Sequence, residues 1–178
     1  MTGIAALDRA ELAQGLKALG ADAWLLFDFH GVNPVAGRVL GLGGMGTRRI
    51  FVLIPREGKP VAVAHKIELQ PLEGFPGTIV PYARWEELAA ALAPLVKGKT
   101  LAMEVSPKDA VPYLDRVPHG VVQMLESLGA KIVPSDQLVT RFAARWSTAE
   151  TADHYAAAEI LADVAREQLA WAVTQGGK

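Results

Sequence analysis

The chain has no cysteine, which rules out disulfides, thiolate zinc sites and a cysteine nucleophile together. Serine is scarce: Ser106, Ser127, Ser135 and Ser147 complete the set, and none stands in the G-x-S-x-G turn that exposes a serine nucleophile. Aromatic residues make up 7% of the chain. No apolar run approaches the roughly 18–20 residues needed to span a bilayer. Basic residues form no block and the net charge is −1, so the charge pattern gives nucleic acid no footing. Met1 to Asp8 lacks the basic start and apolar stretch of a signal peptide. These absences predict a soluble, cytoplasmic protein with no membrane and no nucleic-acid partner.

What is present is a long apolar inventory. Hydrophobic residues account for 51% of 178 positions, enough to bury a core. Leu12, Leu16 and Leu19 lie at helical spacing and are followed by Gly20, the residue favoured just past a helix end. Residues 23–29 read as a buried strand, and Asn33-Pro34 caps and opens a short helix over 35–40. Residues 49–54 and 60–64 flank a polar turn with Gly58, which predicts an antiparallel hairpin. Further strands are expected at 78–80, 100–105 and 131–133, with helices at 85–96 and 121–128. Gly129 ends the second of these helices, and Ser135-Asp136 is expected to cap a last short helix through Phe142. Alternating helices and strands around one hairpin predict an α/β fold, with a mixed central sheet of about six strands and helices on both faces.

The C-terminal segment is of a different kind. Ser147 and Glu150 make a capping box, and a helix of about 25 residues should follow, free of Gly and Pro until Gly176. Ala157, Ile160, Leu161, Val164, Trp171 and Ala172 share one face, opposite Glu159, Asp163, Arg166 and Glu167. That stripe needs a partner: the body of the chain, a second chain, or sequence beyond Lys178.

Candidate chemistry is thin. Gly41-Leu42-Gly43-Gly44-Met45-Gly46 matches G-x-G-x-x-G, but it follows a helix and precedes a strand. A dinucleotide loop needs the reverse order, so that pyrophosphate meets a helix N-terminus. No nucleotide cofactor is expected. His30, His65, His119 and His154 are far apart in sequence, without the spacing of a metal site, and structural or surface roles are expected for each. The best site candidate leaves the carboxyl end of the first strand, where open α/β sheets bind ligands. Asp28, His30 and Asn33 could face a cleft there, with Arg48 and Arg49 as a carboxylate clamp. The plainer reading has Asp28 and Asn33 capping the turn into the next helix.

The order of elements resembles the N-terminal domain of the creatinase, prolidase and aminopeptidase P family. Leu12, Leu16, Leu19 and Gly20 before Ala23-Trp24-Leu25-Leu26-Phe27 are similar to the family's L-x-x-L-G-x-D-A-L-L-V start. Asn33-Pro34 through Leu40-Gly41-Leu42 stands where the family often has N-x-x-Y-L-T-G. The hairpin with Pro55-x-x-Gly58 follows. Arg141-Phe142 to Trp146-Ser147-Thr148-Ala149-Glu150 resembles the L-R-x-x-K-S-x-x-E junction into the catalytic domain. Departures at Phe27-Asp28-Phe29-His30-Gly31, and Trp146 in place of Lys, point to a divergent subfamily.

The resemblance implies a ribonuclease H-like domain over 1–145, with 146–178 as linker and first helix of a metallopeptidase domain that is absent here. It implies a non-catalytic domain of a Xaa-Pro aminopeptidase or dipeptidase-like hydrolase, supporting a homodimer and shaping access for a peptide substrate. The family's two divalent ions (manganese, cobalt or zinc) would be held by Asp, His and Glu residues beyond Lys178. No catalytic residue, cofactor or metal ligand is therefore assigned within this chain. Substrate access falls by position on Asp28, His30, Asn33, Arg48 and Arg49. The alternative is a free-standing binding or oligomerisation module.

Overall fold

The computed structural model describes residues 3–42 and 46–176. Gly43, Gly44 and Met45, the centre of the G-x-G-x-x-G segment, lie outside the described residues. The chain divides into two compact units, Met1–Ala143 and Ala144–Lys178.

The first unit begins its regular structure with α1 (Arg9–Ala18), where the Asp8 carboxylate accepts from the backbone N–H groups of Ala10 and Glu11. Leu12 and Leu16, one turn apart, are fully buried. Gly20, at φ 62°, lets the chain reverse as Ala21 N–H donates to Leu16 O, and the chain enters β1 (Ala23–Asp28). Every β1 residue is buried, as expected of a strand covered on both faces. Then follow α2 (Pro34–Leu40), β2 (Ile50–Pro55), β3 (Val61–His65), β4 (Thr78–Tyr82), α3 (Trp85–Val96), β5 (Thr100–Met103), α4 (His119–Ser127), β6 (Lys131–Pro134) and α5 (Asp136–Phe142).

The six strands form one sheet in the order β4-β3-β2-β1-β5-β6. The expected hairpin is the antiparallel β2–β3 pair. β2 is also antiparallel to β1, while β1–β5, β5–β6 and β3–β4 are parallel. Five strands consequently end at the edge of the sheet where β2 begins. Side-chain alternation divides the core in two. Trp24 and Leu26 face α1, α2 and α5, together with Leu12, Val35 and Leu138. Leu25 and Phe27 face α3 and α4, together with Leu88, Leu92 and Leu125.

In the second unit, α6 (Thr148–Gln175) extends over 28 residues. The capping box is closed: Glu150 N–H donates to Ser147 Oγ and Ser147 N–H donates to Glu150 Oε2. Its large apolar side chains are exposed, from 48% at Val164 to 80% at Val173. No helix among the described residues is long and apolar enough to cross a membrane.

The β3–β4 pairing sets one tight tolerance. Thr78 N–H donates to Pro60 O at 3.0 Å, and a Cβ added at the preceding Gly77 would collide with that carbonyl and with the Phe75 ring. Gly77→Ala should cost about 1–3 kcal/mol, the usual range for overpacking, read from the midpoint and slope of urea unfolding. A variant as stable as the parent would contradict this packing.

Candidate functional site

The edge where five strands end is organised by a side chain that the sequence patterns do not single out. Glu104 follows β5 directly and is 1% exposed. A buried carboxyl is costly unless hydrogen-bonded, and three donors converge on this one. Trp24 Nε1–H donates to Oε1 at 2.7 Å, Ser135 Oγ–H to Oε1 at 2.9 Å, and Asn33 Nδ2–H to Oε2 at 2.9 Å. Burial pushes the Glu104 carboxyl above the ordinary glutamate range, and the three donors oppose that push. Ser135 is thus corrected from its expected role. It stands at the N-cap of α5, yet its side chain makes no capping bond, and its hydroxyl donates to Glu104 instead.

Asn33 carries this anchor into the loop after β1. Its Oδ1 accepts from the N–H groups of Val35 and Ala36, capping α2, and this orientation turns Nδ2 toward Glu104 and Phe27 O. Asp28 closes the turn beneath, accepting from Asn33 N–H and Gly31 N–H, each at 2.9 Å. The link between them is forced into left-handed backbone at His30 (φ 61°) and Gly31 (φ 69°). Phe29 and His30 are held at its exposed tip, their rings edge to face with centroids 4.5 Å apart.

Beside this turn lies a cavity of about 260 Å³ lined by Asp28, Asn33, Arg48, Arg49, His65 and Glu68, among others. Glu68 accepts from the N–H groups of Thr47 and Arg48 and from the Thr47 hydroxyl. The Thr47 hydroxyl is the main reason that Glu68 is held below the usual carboxylate range. His65 Nδ1 accepts from Ile67 N–H, which leaves Nε2–H to donate to Ala83 O at 3.0 Å. The guanidinium of Arg49 lies against the rings of Phe29 and Trp85. Both carboxylates accept from backbone N–H groups, and Arg48 and Arg49 set two positive charges beside them in the lining. Among the described residues no group of three or more His, Asp or Glu side chains is placed to hold a metal ion.

Of the five residues expected at the site, Asp28, Asn33, Arg48 and Arg49 line this one cavity, and His30 stands outside it at the tip of the turn. Asp28 and Asn33 are 7% and 1% exposed, and their side chains build the turn as described. Glu104, Glu68 and Trp85 were not anticipated. The partners of Glu104 lie 80, 71 and 31 residues away, and no local pattern announces them.

With this geometry in place, comparison with known structures assigns the fold: it is that of the creatinase/prolidase N-terminal domain. A prolidase from Thermococcus sibiricus superposes with a TM-score of 0.65 at 19% identity, covering 91% of this chain and 44% of that one. The creatinase/prolidase N-terminal domain of an X-Pro dipeptidase from Streptococcus pyogenes gives a TM-score of 0.52 at 14% identity, over 74% of this chain and 95% of that domain. A Creatine_N superfamily domain of a dipeptidase from Streptococcus thermophilus gives 0.56 at 9% identity, over 76% and 98%. This chain therefore spans less than half of the prolidase and nearly all of each isolated domain. No family model matches the chain, and no curated protein matches it.

The anchor has a measurable sign. A raised pKa means that, above the ordinary glutamate value of 4.5, the folded state holds the Glu104 proton more tightly than the unfolded state. Stability then falls as pH rises through that window. Glu104→Gln removes this titration, so the parent's stability relative to the variant should decline as pH rises above the ordinary glutamate value of 4.5 in urea unfolding. A difference that is constant or grows with pH would contradict the assignment.

Proposed function

We propose that this chain is the non-catalytic N-terminal part of a Xaa-Pro aminopeptidase- or dipeptidase-like metallopeptidase, a peptide hydrolase. The observation that carries the reading is the match, over nearly their whole length, to isolated N-terminal domains of dipeptidases. The prolidase match adds a second support. Its 91% share of this chain is too large to fit within Met1–Ala143, so it takes in part of the C-terminal unit. In this reading residues 1–145 are the N-terminal domain, and 146–178 are the linker and first helix of the catalytic domain. The exposed apolar side chains of α6 would be covered by the rest of that domain.

The two divalent metal ions, manganese, cobalt or zinc, belong to the catalytic domain in this account, and none is assigned to residues of this chain. The work of this chain is positional. It supports a cytoplasmic homodimer and narrows the approach of peptide to the metal centre through Asp28, His30, Asn33, Arg48 and Arg49. The closed turn at 28–33 suits that work, because a loop whose polar groups are satisfied internally keeps its shape without a ligand.

Two outcomes test the proposal. Met1–Lys178 supplied with Mn²⁺ should leave Xaa-Pro dipeptides intact, and a protein extended through its own downstream reading frame should hydrolyse them. Robust metal-dependent turnover by Met1–Lys178 would overturn the non-catalytic assignment. A reading frame that ends at Lys178 would overturn the assignment to a longer enzyme.

A further inference from the structure

The sheet has two open edges, β4 and β6. An edge strand turns every second backbone N–H away from the sheet, and a row of such donors is a template for a strand from another chain. On β4, Thr78 N–H donates inward to Pro60 O, and Tyr82 O accepts from Lys66 N–H. Residues 78, 80 and 82 therefore bond to β3, and 79, 81 and 83 face outward. On β6, Lys131 N–H donates inward to Lys99 O and Ser135 N–H to Met103 O. Residues 131, 133 and 135 therefore bond toward β5, and 130, 132 and 134 face outward.

Both outward rows are emptied in the same way. Pro81 and Pro134 occupy one outward position each and have no N–H to offer. A second outward donor is spent inside the chain. Ala83 N–H donates to Glu87 Oε2 at 2.8 Å, and Ala130 N–H donates to Leu125 O at 3.1 Å. Each strand is left with a single outward donor, Ile79 on β4 and Ile132 on β6. Their side chains pack against the two cores, so neither position carries the charged group that commonly guards an edge. The guard lies in the backbone instead. One hydrogen bond does not hold two strands together, whereas an unbroken row does.

We infer that Pro81 and Pro134 close the two edges of the sheet to a second copy of this chain, and that removing either proline opens its edge to strand pairing between copies. The inference stands on the sheet alone and is independent of the peptidase reading. In the homodimer proposed above, the sheets of the two copies are then not continuous.

Amide hydrogen exchange on the 178-residue chain, in dilute and in concentrated samples, tests this. In the parent, the Ile79 and Ile132 amides should exchange at least about a hundredfold faster than those of Val80 and Val133, at both concentrations. Pro81→Val restores an outward N–H to β4. The amides at 79 and 81 should then slow by about tenfold or more on concentration, in step with dimer growth in sedimentation velocity. Pro134→Val should do the same at 132 and 134, and Pro81→Ala and Pro134→Ala serve as second variants where valine prevents folding. Slow exchange at Ile79 and Ile132 in the dilute parent would overturn the count of free donors. Exchange that does not change with concentration, in a variant whose circular dichroism spectrum matches the parent's, would overturn the closure of that edge. Dimer growth without slowing of these amides places the contact on another surface and would overturn it as well.

Discussion

A single buried carboxyl group organises the functional edge of this domain. Glu104 sits where β5 ends and receives hydrogen bonds from β1 through Trp24, from the cap of α2 through Asn33, and from the start of α5 through Ser135. Such a group is tolerated in a protein interior only when its oxygens are satisfied. The demand works in both directions. Trp24 Nε1 and Asn33 Nδ2 are donors without acceptor capacity, and the two carboxyl oxygens of Glu104 accept from them. Once Asn33 is fixed, so are the first turn of α2 and the reversal at His30 and Gly31. Phe29 then has its place against Arg49. The surface of the site therefore depends on a contact far below it.

How much of this could be read from the sequence follows from how local each cause is. The helix and strand order was legible because it rests on periodicity and on end signals within a few residues, such as Gly20 after α1 and the Ser147–Glu150 capping box of α6. Asn33 as a cap was legible for the same reason, since Asn-Pro is a strong start signal. Glu104 was not. In sequence it is one carboxylate at the end of an apolar strand, and its meaning comes from residues that the sheet brings together from other elements. Ser135 shows the same effect in reverse: the residue lies at the cap position, but its hydroxyl donates to the distant Glu104 and makes no bond to the N–H groups of its own helix.

The site has the same division. Arg48 and Arg49 stood out as adjacent arginines before a strand, and Asp28 and Asn33 as polar residues after one. What joins them is topology: β2 runs antiparallel to β1, which brings the start of one beside the end of the other. Trp85 reaches the same edge from α3, since β4 also ends there. None of this spacing is visible along the chain. The family resemblance carried the rest of the fold reading, and the structural matches place it at identities of 9–19% for the three structures compared, where backbone arrangement survives and side-chain chemistry does not. Function must then be argued from the residues themselves.

The central claim is that the buried anchor sets the position of the exposed arginine. The most direct measurement is the NMR chemical shift of the Arg49 side-chain protons next to the guanidinium carbon, which lies 5.9 Å and 5.1 Å from the centroids of the Phe29 and Trp85 rings, in the parent chain and in Asn33→Ala. In the parent they should resonate upfield of their random-coil positions. In the variant they should move back toward those positions while the signals of Leu88 and Leu125, in the core on the other face of the sheet, stay in place. Arg49 signals that do not move when Asn33 is removed would contradict the account.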